Sequence, residues 1–344
     1  MCLFLSGCYN HMELNKMAMV SLIGVDYSDD KYNVIVEIRE NKKGNENASL
    51  IYKGSGDSLI GALQNISFSV NKALYFIDLD TVVLSEVAAN SKLDFIMDYL
   101  TRENNVGINF NIVIDNDIEK TIEIVKKKEK VVGSYIKDII ESEFNNTINL
   151  KLNDFLENYI SGYYDIILPK ISDDKTDIKV SEAVIFSKEK MVDEINIQMI
   201  QIYNMINGSN KLTLFPVNYE GKEFIFKVIN SSSDITYEDD KFKINLKILG
   251  IFNETEALNL NNKENVKKII SLVKDEIKED TKEFITILID NNADVLGFKK
   301  KYYNAKRDKI TDIKDINYEV NVQVKLDRKG LIFGPIGEEH EKNN

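Results

Sequence analysis

Two stretches of alternating apolar and polar residues flank one long amphipathic segment in the C-terminal half of the chain. Residues 241–249 place phenylalanine, isoleucine and leucine at every second position, with lysines between them, and residues 318–326 repeat this pattern. Such alternation predicts strands of an antiparallel sheet with one face in water. Residues 263–290 instead repeat apolar residues at helical spacing, which predicts a long amphipathic helix. The C-terminal half is therefore expected to be an α+β layer.

The N-terminal half alternates short strands with helices, which predicts a sheet with helices packed on it. A polar turn at 28–31 joins the first two strands, and Asp57 or Ser58 is expected to cap the first helix. The predicted strands are 18–26, 32–39, 79–85, 108–114, 180–186, 212–217 and 223–230, and the predicted helices are 57–70, 93–100, 118–144, 150–159 and 192–206. The predicted fold class is α+β, with several domains and mixed sheets.

The charge and hydropathy of the chain argue against binding to nucleic acid and against attachment to a membrane by charge alone or by a spanning helix. The formal net charge is -12, so the surface repels phosphate backbones and no nucleic-acid binding is expected. It also disfavours docking on anionic lipid by electrostatics alone. No apolar run reaches the ~18–20 residues that span a bilayer as a helix. Attachment to a membrane would therefore require a covalent or apolar device.

Both cysteines of the chain, Cys2 and Cys8, lie at its N-terminus. The residues before Cys8 are leucine, serine and glycine, which fits the lipobox, where the thiol accepts diacylglycerol before cleavage exposes the amine. Two acyl chains on one residue hold a protein stably at a bilayer. Only seven residues precede Cys8 and none is basic, so the start codon is placed too late or the signal is lost. The alternative is a short buried strand with incidental cysteines.

The sequence offers little material for catalysis, and no cofactor or metal site is predicted. The two histidines, His11 and His340, lie beside the termini and are expected to be solvated. The glycines at 54, 56 and 61 lack phosphate-loop spacing and are expected to form a flexible turn before a capped helix. The acidic pairs at 29–30, 173–174 and 239–240 lack EF-hand spacing and are expected to be hydrated turns. Tyrosines at 159, 163, 164, 302 and 303 are expected to be half-buried, and interface anchors are the alternative.

Short segments that lie in order along nearly the whole chain form one pattern: residues 5–9, 23–26, 56–59, 73–76, 82–86, 98–102, 152–155, 167–170, 183–186, 291–298, 320–324 and 330–332. Together these segments resemble the Ger(x)C family, the lipoprotein C subunits of spore germinant receptors. The residue after Cys8 is tyrosine where the family has tryptophan, and Lys299 follows Gly297 and Phe298 where the family has another glycine.

This resemblance implies a non-enzymatic lipoprotein on the outer leaflet of the inner spore membrane. It would carry a diacylglyceryl group on Cys8 and assemble with the membrane-embedded A subunit and the transporter-like B subunit of a receptor, and the B subunit would hold the germinant. The implied domains are a truncated signal at 1–8, an N-terminal germination-protein domain at 9–175, a C-terminal one at 176–338 and a tail at 339–344. The alternative is an extracytoplasmic solute-binding or cell-wall-associated protein.

Overall fold

The computed structural model describes residues 16–40, 48–103, 105–209, 211–219, 221–252 and 263–327. Its helices and strands follow in the order β1 Met17–Ser28, β2 Lys31–Arg39, β3 Ser49–Gly56, α1 Leu59–Ser67, β4 Ala73–Tyr75, β5 Thr81–Leu84, α2 Glu86–Arg102, β6 Asn111–Asp115, α3 Ile118–Lys126, α4 Val132–Glu141, α5 Leu152–Ser161, β7 Ile167–Asp173, β8 Ile178–Ser187, β9 Lys190–Ile195, α6 Ile197–Ile206, β10 Thr213–Tyr219, β11 Lys222–Glu238, β12 Lys241–Phe252, α7 Lys263–Asp290, α8 Phe298–Lys306 and β13 Tyr318–Leu326. Mixed sheets, helices and the long α7 confirm the predicted α+β class.

The chain divides into two compact units. The N-terminal unit contains residues 1–138 with two short returns at 151–153 and 173–179, and the C-terminal unit contains 139–150, 154–172 and the chain from 180 onward. The sequence-predicted domain bounds at 175 and 176 stay a prediction.

The N-terminal unit is built on strands in the order β3-β2-β1-β5-β6. β1, β2 and β3 are antiparallel neighbours, whereas β5 pairs in parallel with both β1 and β6. Helices cover both faces of β1, because Gly24 lies against Ile118 of α3 and the Tyr27 ring lies under Lys92 of α2. Because β1, β5 and β6 run parallel to one another, their carboxyl ends point to the same edge of the sheet, where α2 and α3 begin.

The first helix packs so closely on β3 that only glycine fits there. A Cβ atom on Gly54 would lie 2.6 Å from the Ala62 carbonyl oxygen and 2.6 Å from the Ile66 side chain. Ser58 caps α1 by accepting a hydrogen bond from the Gly61 N–H. Ser58 was one of the two predicted caps. The flexible turn predicted at residues 54–56 is wrong, because these residues belong to β3.

The C-terminal unit contains β7, β8 and β9 as sheet neighbours and a second sheet in the order β10-β11-β12-β13. The predicted inward side chains of β12 are buried, and α7 buries a stripe that includes Val273, Ile277 and Phe284. β13 pairs with β12 in parallel, not antiparallel as the alternation predicted. α7 carries the chain back across the sheet, and a parallel pair requires such a crossover.

The helix predicted at 192–206 begins too early. Residues 190–195 form β9, which pairs antiparallel with β8, and α6 begins only after Asn196. The Asn196 side chain accepts a hydrogen bond from the Met199 N–H. Pairing along the edge of β8 thus overrides the helical spacing of these residues.

Candidate functional site

The segment 291–298, which carries part of the sequence resemblance, connects α7 to α8 and holds the start of α8. The Asp294 carboxylate accepts hydrogen bonds from the Phe298 N–H at 2.8 Å and the Lys299 N–H at 2.7 Å. These N–H groups belong to the first turn of α8 and have no partner within the helix. Asp294 therefore acts as the cap of α8, and its carboxylate also lies at the positive end of the helix dipole.

A second buried carboxylate fixes this cap to the strands. One oxygen of Asp165 accepts the N–H of Asp294 at 2.8 Å, and the other accepts the N–H of Lys188 at 2.7 Å. The ammonium group of Lys299 lies 3.4 Å from Asp165. Asp165, Asp294 and Lys299 thus form a buried polar cluster that joins α8, the end of α7 and the β8–β9 turn. We call it the α8 anchor.

Burial decides the protonation behaviour of the α8 anchor. Desolvation raises the pKa of Asp294 to about 6, although the hydrogen bonds from Lys299 and Phe298 act in the opposite direction. The neighbouring Asp165 carboxylate raises this pKa further. Ionisation of the buried Asp294 carboxyl group thus costs free energy, so the contribution of Asp294 to the stability of the unit depends on pH.

Gly297 and Phe298 complete the segment through packing. Gly297 has a φ of 75°, and a Cβ atom there would lie 2.2 Å from the Tyr164 ring. Phe298 is fully buried, and its ring lies 5.0 Å from that of Phe242 in an edge-to-face arrangement. The glycine is required by its left-handed backbone and by the close ring.

The five predicted tyrosines are half-buried as expected, and four of them, Tyr163, Tyr164, Tyr302 and Tyr303, lie at α8. Tyr303 pairs with Tyr163 at 5.6 Å between ring centroids, and Tyr302 pairs with Tyr237 at 4.9 Å. Lys300 lies 5.1 Å from the centre of the Tyr163 ring. These rings contact one another within the unit, so their positions indicate packing of α8 on the sheet.

The N-terminal unit contains a cleft of about 600 Å³ where β1, β3, β5 and β6 end and β2 begins. Its floor is one face of β1, β2 and β3, and its wall is the first turn of α3. The lining residues are Gly24, Asp26, Asn33, Val34, Ile35, Lys53, Gly54, Ser55, Ser85, Asn116, Asp117, Ile118 and Glu119. In open sheets with parallel strands, this edge is where ligands generally bind.

Glu37 carries a buried polar network in the N-terminal unit that sequence reasoning missed. The side chain is fully buried on β2. It accepts hydrogen bonds from the hydroxyls of Ser21 at 2.8 Å and Ser49 at 2.6 Å, and from the N–H groups of Val132 at 2.8 Å and Gly133 at 2.9 Å. Glu37 thus ties the start of α4 to β1 and β3.

Comparison with known proteins assigns the family. The family "Spore germination protein N-terminal domain" matches residues 10–173, and "Spore germination B3/GerAC like, C-terminal" matches residues 181–330. The two matches follow each other in order and together cover most of the chain. The chain belongs to the Ger(x)C family of spore germination proteins. The predicted resemblance is thereby confirmed.

Two curated relatives agree with this assignment, one along nearly the whole chain and the other along about half of it. The chain is 23% identical to "Spore germination protein GerQC" of Bacillus cereus over 355 aligned positions, which cover 95% of this chain and 96% of that protein. It is 24% identical to "Spore germination protein KC" of Bacillus subtilis (strain 168), over 51% of this chain and 48% of that protein.

A solved structure, "Crystal Structure of the GerBC protein", has the same fold. It superposes with a TM-score of 0.57 over 88% of this chain and 96% of that one, at 13% sequence identity. The α+β fold of this chain is thus shared with that solved structure.

The Ger(x)C resemblance named Cys8 as the lipidation site, and Cys8 lies outside the described residues, as do His11 and His340. The acidic pairs 29–30 and 239–240 occupy tight strand connections with positive φ, and Asp174 lies in the turn between β7 and β8. Within the described part of the chain, no group of three metal-ligating side chains occurs. No described helix is long and apolar enough to cross a membrane.

Proposed function

We propose that this chain is the lipid-anchored C subunit of a nutrient germinant receptor and that it acts by protein–protein assembly, without catalysis. The observation that carries this proposal is the ordered match of both Ger(x)C family models over residues 10–173 and 181–330. A full-length curated relative named as a spore germination protein supports it. The match of both halves supports a role in germination for the whole chain and not for one transferred domain.

The proposed attachment is a diacylglyceryl group on Cys8, which follows Leu5, Ser6 and Gly7 in lipobox order. Each buried CH₂ of an acyl chain contributes ~0.8 kcal/mol, so two chains hold an acidic body at a bilayer without any spanning helix. The body would then lie on the outer leaflet of the inner spore membrane, with residues 9–175 and 176–338 as its domains. Its partners would be the A and B membrane subunits.

The non-enzymatic role is supported by the distribution of reactive side chains. Histidine occurs only at positions 11 and 340 and cysteine only at 2 and 8, all of them near the termini. The buried carboxylates Glu37 and Asp294 are occupied in holding helix starts. Their hydrogen bonds are structural, since each joins a helix N-terminus to a strand or loop of its own unit.

Metabolic labelling tests the anchor. Cells carrying the gene with its native upstream codons would be grown with a palmitate analogue, and the protein would be isolated as wild type, Cys8→Ala and Cys2→Ala. We expect label on the wild type and on Cys2→Ala and none on Cys8→Ala. Unchanged label on Cys8→Ala would refute lipidation at this residue.

Co-purification tests the assembly. The wild-type chain, solubilised from spore membranes in mild detergent, should recover the A and B subunits of the proposed receptor. Recovery of neither membrane subunit under conditions that preserve the A–B contact would contradict the receptor proposal.

The second candidate, an extracytoplasmic solute-binding protein that acts alone, is favoured by one observation, the cleft in the N-terminal unit. This candidate predicts ligand binding without any partner subunit and normal spore germination when the gene is deleted. The receptor proposal predicts defective germination, so the deletion phenotype separates the two.

A further inference from the structure

We propose that the cleft of the N-terminal unit is a binding site for a small polar molecule that carries an ammonium group. The proposal concerns a ligand of this unit itself and does not depend on the lipid anchor or on receptor assembly. At about 600 Å³, the cleft lies within the ~300–1,000 Å³ range of small-molecule sites.

The strand register creates the floor of this cleft. Asp26 of β1 lies opposite Asn33 of β2, and Asn33 lies opposite Ser55 of β3. Cross-strand partners point to the same face of a sheet, so a carboxylate, an amide and a hydroxyl stand in one row. The next row is Gly24, Ile35 and Lys53.

Gly24 keeps the floor open below this polar row and sets the position of the wall. A Cβ atom at Gly24 would lie 2.9 Å from the Ile118 side chain. The first turn of α3 can therefore approach the strands closely, and it brings Asp117 to the cleft. α1 and α2 pack on the other face of these strands, as Gly54 and Tyr27 show, and they leave this row uncovered.

The charge of the lining favours a cation. Its ionisable side chains are Asp26, Lys53, Asp117 and Glu119, and Lys53 is paired with Glu119 at 2.6 Å. Within the described part of the chain, neither Asp26 nor Asp117 forms an ion pair. Asp26 accepts one hydrogen bond, from the Ser28 hydroxyl at 3.2 Å. Two carboxylates are thus available to a ligand cation.

The hydrogen-bonding groups favour a donor-rich ligand. The Asn33 amide nitrogen donates to Ser28, which leaves its carbonyl oxygen for another donor. Asp117 uses one oxygen to accept the Lys120 N–H and retains the other. An ammonium group supplies three donors and a positive charge. The cleft therefore matches an amine, with Ser55 and Asn116 placed to contact hydroxyl groups on the same molecule.

Paired probes test this assignment on the full 344-residue chain. D-Glucosamine carries an ammonium group at the one position where D-glucose carries a hydroxyl instead. Putrescine carries two ammonium groups and no sugar ring. Binding would be measured by saturation-transfer NMR and calorimetry at slightly acidic pH in about 0.1 M salt, where charges interact over ~10 Å. We expect glucosamine or putrescine to bind at least about tenfold more tightly than glucose. Stronger binding of glucosamine indicates an amino sugar, and stronger binding of putrescine indicates an aliphatic amine.

Matched variants locate the binding. Asp26→Asn removes the charge at nearly constant shape and should weaken amine binding about tenfold. Asp29→Asn, on the exposed turn after β1, should leave it unchanged. Ser55→Phe, on the exposed side of β3, should block the cleft and abolish binding even if Asp26→Asn folds poorly. Equal binding of glucose and glucosamine, no binding of either amine, or wild-type affinity in both Asp26→Asn and Ser55→Phe would overturn the proposal.

Discussion

Replacing Glu37 by glutamine should destabilise the N-terminal unit far more than an exposed Glu→Gln change. Each Glu37 oxygen accepts one serine hydroxyl and one backbone N–H: Ser49 and Val132 on one side, Ser21 and Gly133 on the other. In the glutamine variant, one of these oxygens becomes an NH₂ donor. The facing serine hydroxyl can rotate to accept from it, but the facing backbone N–H cannot.

The expected magnitude follows from that one unmatched N–H. Hydrogen bonds to charged groups contribute ~1.5–3 kcal/mol, and a buried donor without a partner costs ~1–3 kcal/mol. These effects overlap, so we expect a loss of about 3 kcal/mol in the free energy of unfolding. At ~2–4 °C per kcal/mol for a unit of this size, the melting temperature should fall by about 6–12 °C.

Urea and thermal unfolding monitored by circular dichroism would measure the effect. The control is Glu123→Gln on the exposed side of α3, which should stay within about 0.5 kcal/mol of the wild type. A Glu37→Gln variant that unfolds within about 1 kcal/mol of this control would show that Glu37 does not hold α4 through the hydrogen bonds described.

The remaining predictions concern α8 and its anchor. Because burial raises the pKa of Asp294 to about 6 from 3.8, its contribution to stability is greatest below pH ~4 and is lost as the pH rises through ~6, by about 3 kcal/mol in total. Asp294→Asn should remove this pH dependence of stability, so the difference in unfolding free energy between variant and wild type should change between pH ~4 and ~6. A difference that stays constant with pH would contradict a raised pKa at Asp294. Gly297→Ala should cost about 2–4 kcal/mol, from its left-handed backbone and the Tyr164 ring, whereas Gly162→Ala, with a φ of 65° and nothing within 4 Å, should cost about 1 kcal/mol. Equal melting temperatures for the two alanine variants would show that the ring contact is not tight.

The parts of the fold that the sequence predicts well are those with strong local patterns. The alternation in β12, the stripe of α7 and the cap at Ser58 need only neighbouring residues to be recognised. At β2, alternate side chains do not separate a buried face from a wet one, because the face that carries Ile35 and Glu37 is also buried: Ile35 is 8% exposed and Glu37 0%. Helices from later in the chain cover that face, and period-two spacing carries no information about them.

The short, charged α8 could not be predicted for a similar reason. Its sequence is mostly lysine, tyrosine and asparagine, without a clear apolar stripe. It is held by Asp294, which is fixed by Asp165, 129 residues earlier in the chain. The cleft likewise depends on the register of β1, β2 and β3, which brings Asp26 and Ser55 into one row. Contacts between residues distant in sequence, not local propensity, decide both features.

The most direct test of the receptor role is a germination assay on spores. In a host strain whose one remaining nutrient receptor is the proposed receptor of this chain, the gene would be deleted in frame and then restored as wild type or as Cys8→Ala. We expect deletion spores to fail to lose refractility in a nutrient mixture, wild-type restoration to recover the response, and Cys8→Ala to recover it only weakly. Lysozyme treatment of decoated spores should still yield colonies from every strain. Deletion spores that germinate in nutrients at the wild-type rate would contradict the proposal that this chain is a receptor subunit.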